Sequence, residues 1–498
     1  MAFSRKIQIK TKSTEQLQAQ QTSQGLGVAA LAAIVVSSMI GGGIYSLPQN
    51  MAQGASAGAV LLAWLITGIG IFFIANTFSI LSRIKPDMTT GIYMYARDGF
   101  GPYVGFTIGW SYWLCQVCGN VGYAIITMDA LNYFFPPYFA GGNTLAAIIG
   151  GSLIIWGFNW LVLRGVQQAT CINTIGTIIK IVPLALFILI MLFVFKMHIF
   201  DFDFWGEALQ TKAKLGDLST QIKSTMLVTL WAFIGIEGAV VMSKRARSQS
   251  DVGKATILGF ISCLGIYILL SLLPYGYMSQ AALAGGPNPS TAGILEKVIG
   301  KGGAWLMNIG LLVSVLTSWL AWTMITAEIP QAAAEDGTFP KIFTKENSHK
   351  APSSSLWITS CAMQLFLLLA YFSNNAWNTM LSITGVMVLP AYFTSCAYLW
   401  KICEDGEFSS SIIRRSTALL TSIIGAFYAL WLIYAAGLKY LLLAVVIIAL
   451  GIPVYVRARK ECHPDERAFS EHEWALASAF IIIAFWALYA FYRGIVTV

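Results

Sequence analysis

Long apolar runs divided by short polar stretches set the pattern of this chain. The runs fall near 28–48, 58–82, 103–134, 143–163, 174–195, 222–243, 254–278, 303–333, 354–373, 377–401, 415–436, 438–457 and 473–492. Most reach the roughly 20 apolar residues that a helix needs to cross a bilayer, so the pattern predicts about thirteen transmembrane helices. Two of them are interrupted. Gly41-Gly42-Gly43 sits in the middle of the first, and Gly235, Glu237 and Gly238 cut the sixth. Consecutive glycines are poor helix interior and leave their amides unshielded. Unwound backbone is tolerated at membrane depth only where it is buried in protein or lines a cavity, so the breaks are expected to wall an internal site.

The spacing of the breaks carries a topological argument. Corresponding interruptions in spans 1 and 6 imply a repeat of five helices, and an odd number of helices turns the second copy upside down. The half-helix ends then face the midplane, where their positive dipole ends and free amides suit a carboxylate, such as that of an amino acid. A glycine triplet can also serve only to let helices approach closely, as Gly105 and Gly109 are expected to do in span 3.

Composition narrows the class. The chain is 57% hydrophobic and 11% charged, far from the roughly 25% charged residues of a soluble domain. Its net charge of +8 could suggest nucleic acid, but the positions of the charges argue otherwise. Arg5, Lys6, Lys10 and Lys12 precede span 1, and basic residues follow spans 2, 4, 6, 8, 10 and 12. The loops 136–143 and 279–291 carry none, while 201–223 mixes both signs. The excess is therefore topological, no nucleic-acid partner is expected, and the N-terminus is expected in the cytoplasm. Met1 to Gly25 lacks the apolar core of a cleavable signal, so span 1 is expected to be retained.

Polar residues inside apolar spans are costly and come next. Lys180 lies well within span 5. It is either a snorkelling residue or a buried functional ammonium, which would stand in for a coupling cation or release its proton and carry the coupling itself. Glu237 lies in the span 6 break and favours a structural or gating role. Glu328, late in span 8, either faces a cationic substrate, holds a gate by hydrogen bonding or sits on a solvated face. Asn120 is expected about two turns beyond Tyr112 on the same face of span 3, as a ligand or a helix-to-helix hydrogen bond. Trp231, at the start of the span 6 break, and Trp319 and Trp322 of span 8 offer aromatic faces for a cation. Cys115-Gln-Val-Cys118 has redox spacing but sits inside an apolar helix and reads as packing. The four histidines fall at span ends or in loops, so no metal site and no cofactor are expected. An enzyme would need a nucleophile and base or a metal cluster at membrane depth, and none is evident. An ion channel would need a continuous pore.

Several stretches in order then match a known family. Met39-Ile-Gly-Gly-Gly-Ile-Tyr45 with Leu47-Pro48, Tyr112-Trp-Leu with Gly119-Asn120, Leu230-Trp-Ala-Phe-Ile-Gly-Ile-Glu237 and Ala332-Ala-Ala-Glu-Asp-Gly-Thr-Phe-Pro340 resemble the basic amino acid/polyamine antiporters of the amino acid-polyamine-organocation superfamily. Over residues 25–400 the chain looks closest to bacterial arginine/ornithine and arginine/agmatine exchangers.

The resemblance implies an all-α polytopic protein of the bacterial cytoplasmic membrane with a LeuT-like 5+5 inverted repeat. Its parts would be a cytoplasmic tail over 1–25, a transport core over 26–403 and peripheral helices over 404–498. In such exchangers the substrate carboxylate meets the glycine break, here Gly41, Gly42 and Gly43. The guanidinium stacks on Trp231 and meets Asn120. Met39 and Ile234 line the pocket, Tyr112 and Glu237 are gates, and Trp322 closes the site. The partners implied are a cationic amino acid or amine, membrane lipid and a second copy in a homodimer.

Two departures stand out. The serine that this motif often carries is Gly42 here, so a hydroxyl to the carboxylate is lost. Lys180 is similar to the span 5 lysine of cation-independent or proton-coupled relatives, which keeps a proton-coupled lysine/arginine importer as the alternative.

Overall fold

Eleven helices among the described residues are long and apolar enough to cross a membrane, and a twelfth span forms if the pair Val28–Met39 and Gly43–Gly54, bent by 47°, counts as one. This computed structural model describes residues 25–493 and Ile495, apart from 89–90, 288, 374–375 and 411–412. The tail expected over 1–25 lies outside the described residues except for Gly25. The bent pair is span 1, followed by span 2 (Ala57–Ile84), span 3 (Pro102–Asn132), span 4 (Leu145–Leu163) and span 5 (Val166–Val194). Span 6 stops at Leu218–Ala232 and resumes only for Gly238–Val241. Spans 7 to 10 are Gln249–Gly276, Lys301–Glu335, Ser353–Ala370 and Ala376–Glu404, and spans 11 to 13 are Arg415–Ala436, Leu438–Cys462 and Glu471–Tyr492.

The two breaks have local causes. The first helix ends at Met39, Ile40 leaves helical geometry at φ −81° and ψ 82°, and Pro48 restarts the chain at the beginning of Leu47–Gly54. Proline is at ease there, because the first helical amides lack partners in any case. In span 6 the chain turns at Gly235, whose φ of +111° an L side chain rarely adopts.

The halves of the core pack in matching pairs. Span 3 lies on span 10 as span 8 lies on span 5, span 2 lies on span 6 as span 7 lies on span 1, and spans 4 and 9 lie on each other. Exchanging spans 1–5 with spans 6–10 leaves this contact pattern unchanged. The hand of the exchange is fixed where the Leu26 amide donates to the Arg245 carbonyl and the Arg247 amide to the Leu26 carbonyl, both at 2.9 Å. Span 1 therefore begins on the face where span 6 ends, and the two run antiparallel. The fold is an all-α, LeuT-like inverted repeat with additional C-terminal helices. The face that holds Lys244, Arg245 and Lys341 is called the basic face below.

Span 13 is exposed over most of its surface, yet one of its side chains reaches the core. The Glu473 carboxylate accepts from the Ser470 amide at 2.9 Å, closing a capping box, and from the Tyr103 amide at 2.8 Å. It thus caps span 13 and the first turn of span 3 together. Glu473→Ala is expected to cost about 1–2 kcal/mol, read as a lower thermal unfolding midpoint of the purified protein. Glu473→Gln should lose less, and an unchanged midpoint for the alanine variant would show that the contact has no weight.

Candidate functional site

A helix break in a bilayer leaves carbonyls on one side and amides on the other, and this molecule treats them differently. The carbonyls are covered. The Lys180 Nζ, fully buried in span 5, lies within donating distance of the Ile40 carbonyl at 2.7 Å, the Ser37 carbonyl at 3.0 Å, Ser318 Oγ at 3.0 Å and Ser37 Oγ at 3.1 Å. Ser318 Oγ also donates to Ile40 at 2.7 Å, Ser314 Oγ to Gly41 at 3.3 Å and Trp322 Nε1 to Ser38 at 3.0 Å. Spans 5 and 8 are tied to the unwound part of span 1 through these bonds. On the amide side, the Gly42 N–H has no acceptor among the described residues.

The breaks of spans 1 and 6 touch each other. Ser38 Oγ donates to the Gly235 carbonyl at 2.9 Å, and a Cβ on Gly235 would stand 2.7 Å from that same oxygen. Beside this contact lies a cavity walled by Met39 and Gly41 of span 1, Gln116, Gly119 and Tyr123 of span 3, Trp231 and Ile234 of span 6, Trp322 of span 8, and Trp377 and Thr384 of span 10. No charged side chain lines it. The space open to the centre of a water molecule is about 30 Å³, enough for a water or two and too small for an amino acid.

Aromatic rings have closed it. The Trp231 indole lies so tightly on Gly43 that a Cβ there would be 1.6 Å from the ring, and Trp231 meets Trp377 edge to face at 5.9 Å. Any ligand that reaches the Gly43 backbone must first move Trp231.

Toward the basic face the cavity floor is polar and fully buried. Tyr112 donates to one oxygen of the buried Glu237 at 2.7 Å, Tyr392 to the other at 2.6 Å, and the Gly235 amide to the second at 3.1 Å. Spans 3, 6 and 10 are thereby joined. Beyond them lie the ion pairs Arg97–Asp336 at 2.9 Å, Lys244–Glu335 at 2.8 Å and Arg245–Glu328. On the other side Trp231 meets Trp377, and Val315 and Ile126 close on Gly42. The cavity is thus closed by hydrogen bonds and ion pairs on the basic side and by aromatic and apolar contacts on the other.

The structure brings Met39, Gly41, Trp231, Ile234 and Trp322 to one cavity. It keeps Gly42 and Gly43 behind Val315 and Trp231. Asn120 is off the wall: its Nδ2 donates to the Gln116 carbonyl at 2.8 Å and to Thr326 Oγ1 at 3.1 Å. Trp319 packs on Phe158 at 5.5 Å, away from the cavity, and Glu328 is buried in its pair with Arg245. The sequence reading missed Gln116, Tyr123, Trp377 and Thr384, all on the wall. Tyr112, Gln116, Gly119 and Tyr123 follow one another at steps of four, three and four, the stripe of a single helix face, which was the available signal.

Gly42 has no room for a side chain. A Cβ there would lie 2.5 Å from Val315 Cγ2, so Gly42→Ser is expected to lower transport by at least about tenfold through the clash. Gly42→Ser with Val315→Ala should recover most of it, and failure of the pair to do better than the single change would separate Val315 from the loss.

The family profile described as amino acid permease matches residues 26–438. The chain is 60% identical over 474 residues to a protein of Chlamydia abortus (strain DSM 27085 / S26/3) named Arginine/agmatine antiporter, covering 95% of this chain and 97% of that one. A Chlamydia pneumoniae protein of the same name is 60% identical over 477 residues, covering 95% and 98%. Among solved structures, a Na+-coupled sialic acid symporter in a substrate-bound outward-open state matches with a TM-score of 0.51 at 12% identity, over 84% of this chain and 91% of that one. It shares the fold alone. The chain belongs to the amino acid permease family, as a multi-pass membrane transporter and not an enzyme.

Proposed function

We propose that the protein works in a bacterial cytoplasmic membrane as an exchanger that brings in arginine and takes out agmatine, with the basic face in the cytoplasm. Alternating access moves both through the cavity between spans 1 and 6. The single observation that carries this reading is an aromatic cavity without a fixed charge at the meeting of two helix breaks, in a chain 60% identical to proteins named arginine/agmatine antiporters.

Each end of arginine has a matching surface. Its carboxylate takes the Gly42 amide, and the Gly43 backbone once Trp231 has swung aside. Its guanidinium then lies on the displaced Trp231 ring, with Trp322 and Met39 closing over it and Ile234 beneath; a ring face attracts such a cation without a buried carboxylate. Tyr112 and Glu237 form the inner gate, and their bonds with Tyr392 break when the site opens to the cytoplasm. Lys180 supplies a fixed positive charge between spans 1, 5 and 8. Agmatine lacks the carboxylate, so its return rests on the aromatic contacts.

Liposomes loaded with agmatine should take up labelled arginine, and empty liposomes should not. Equal uptake without internal substrate, rising with an imposed proton gradient, would replace exchange by proton-driven import. Loading with ornithine tests the other product: uptake matching that with agmatine would widen the exchange pair.

A further inference from the structure

Above the Ile126–Val315 layer lies a second cavity, of about 230 Å³ for the centres of water molecules, which no step of the cycle above uses. Ile126 belongs to its wall and also closes on Gly42, so the second cavity stands directly over the break of span 1. Two carboxylates line it, Asp129 from the last turns of span 3 and Glu296 from the helix Ser290–Ile299, and no Lys or Arg does. Asp129 accepts one backbone bond, from Gly141 at 2.9 Å, and neither carboxylate is in an ion pair among the described residues. Lys297 and Lys301 are neighbours in sequence but are absent from the wall.

A third group makes this more than an acidic patch. Asn308 of span 8 lines the same cavity and is 1% exposed. Its Nδ2 donates to the Ala304 carbonyl at 2.9 Å, while its Oδ1 is buried with no hydrogen-bond partner. A buried acceptor without a donor is costly, and the two charged groups on the same wall are acceptors as well. Ser46, Asn132 and Tyr133 carry neutral donors there, and what the wall lacks is positive charge, which a guanidinium or ammonium group brings together with donors.

We propose that Asp129, Glu296 and the Asn308 carboxamide oxygen form an outer staging site that receives the cationic end of the substrate before the Ile126–Val315 layer opens. This rests on the transport reading above. The carboxylates raise the local concentration of cations at the mouth and lower the external half-saturation concentration, and they have no part in the central cavity.

The test is labelled arginine exchange in right-side-out and inside-out vesicles, with the unmodified protein and the Asp129→Asn, Glu296→Gln double variant. The external half-saturation concentration is expected to rise about fivefold and to lose much of its salt dependence, with the maximal rate and the internal half-saturation concentration unchanged. Asn308→Asp, which adds a charge in place, should lower the external value. An unchanged external value and salt dependence, or equal shifts on both faces, would overturn the staging site while leaving exchange intact. Absence of exchange in the unmodified protein would instead overturn the transport reading, and the staging site with it.

Discussion

Replacing Trp231 with leucine is expected to cut arginine–agmatine exchange at least about 30-fold while the protein still folds and inserts. The magnitude follows from the bare walls of the cavity. With no carboxylate there, the guanidinium has ring faces as its main compensation for lost water, and a desolvated cation on tryptophan is worth about 2 kcal/mol or more, a factor of about 30 in affinity. Leucine keeps part of the apolar contact and none of the quadrupole. Trp231 also covers Gly43 and meets Trp377, so its loss should leave the cavity larger as well as less attractive. Trp231→Phe retains a ring and should keep a measurable fraction. Uptake into agmatine-loaded liposomes, with a size-exclusion profile of each variant, gives the answer, and normal uptake by the leucine variant would remove Trp231 from the site.

The apolar runs made the fold legible because a bilayer requires one long apolar segment per crossing, and each predicted run is helical over most of its length. The breaks were legible for the same reason, since Gly41-Gly42-Gly43 and Gly235 are costly in an ordinary span. Side-chain direction was less so. An eight-residue step from Tyr112 to Asn120 turns about 800°, roughly 80° past the starting face, and that offset puts the Asn120 amide on Thr326 and off the cavity wall. Steps of four and three from Tyr112 would have led to Gln116, Gly119 and Tyr123. Trp377 and Thr384 carried no such signal, because span 10 is unbroken and its position against span 6 is a tertiary fact.

The two seals differ in kind, which bears on the direction of opening. The basic side is closed by directional bonds, Glu237 to two tyrosines and three ion pairs beyond. Breaking a buried carboxylate away from its donors leaves costly unpaired groups. The other side is closed by the Trp231–Trp377 contact and by Ile126 and Val315 against Gly42. Opening toward the basic face therefore has to break directional bonds that opening the other way does not.

Lys180→Ala is expected to reduce exchange more than tenfold while leaving the shape of its pH profile unchanged, as the loss of a fixed charge should. The ammonium has three donors for four acceptors within 3.1 Å, so it has no unused hydrogen-bonding capacity. Without it the Ser37 carbonyl loses its side-chain donor and Ile40 loses its bond to span 5, which then holds span 1, among the described residues, only through Asn173 on Ser37 Oγ and Thr177 on the Ala33 carbonyl. A charged hydrogen bond of this type is worth about 1.5–3 kcal/mol, and here it holds the moving element to the scaffold. Ile40 keeps Ser318 at 2.7 Å, so the break should survive in form while losing its anchor. Lys180→Met separates shape from charge, since it fills much of the same space and carries no proton. If the methionine variant falls as far as the alanine variant, the fixed charge is what transport uses. If both retain the original rate and pH profile, Lys180 is a packing residue, and exchange draws nothing from the ammonium beneath the break.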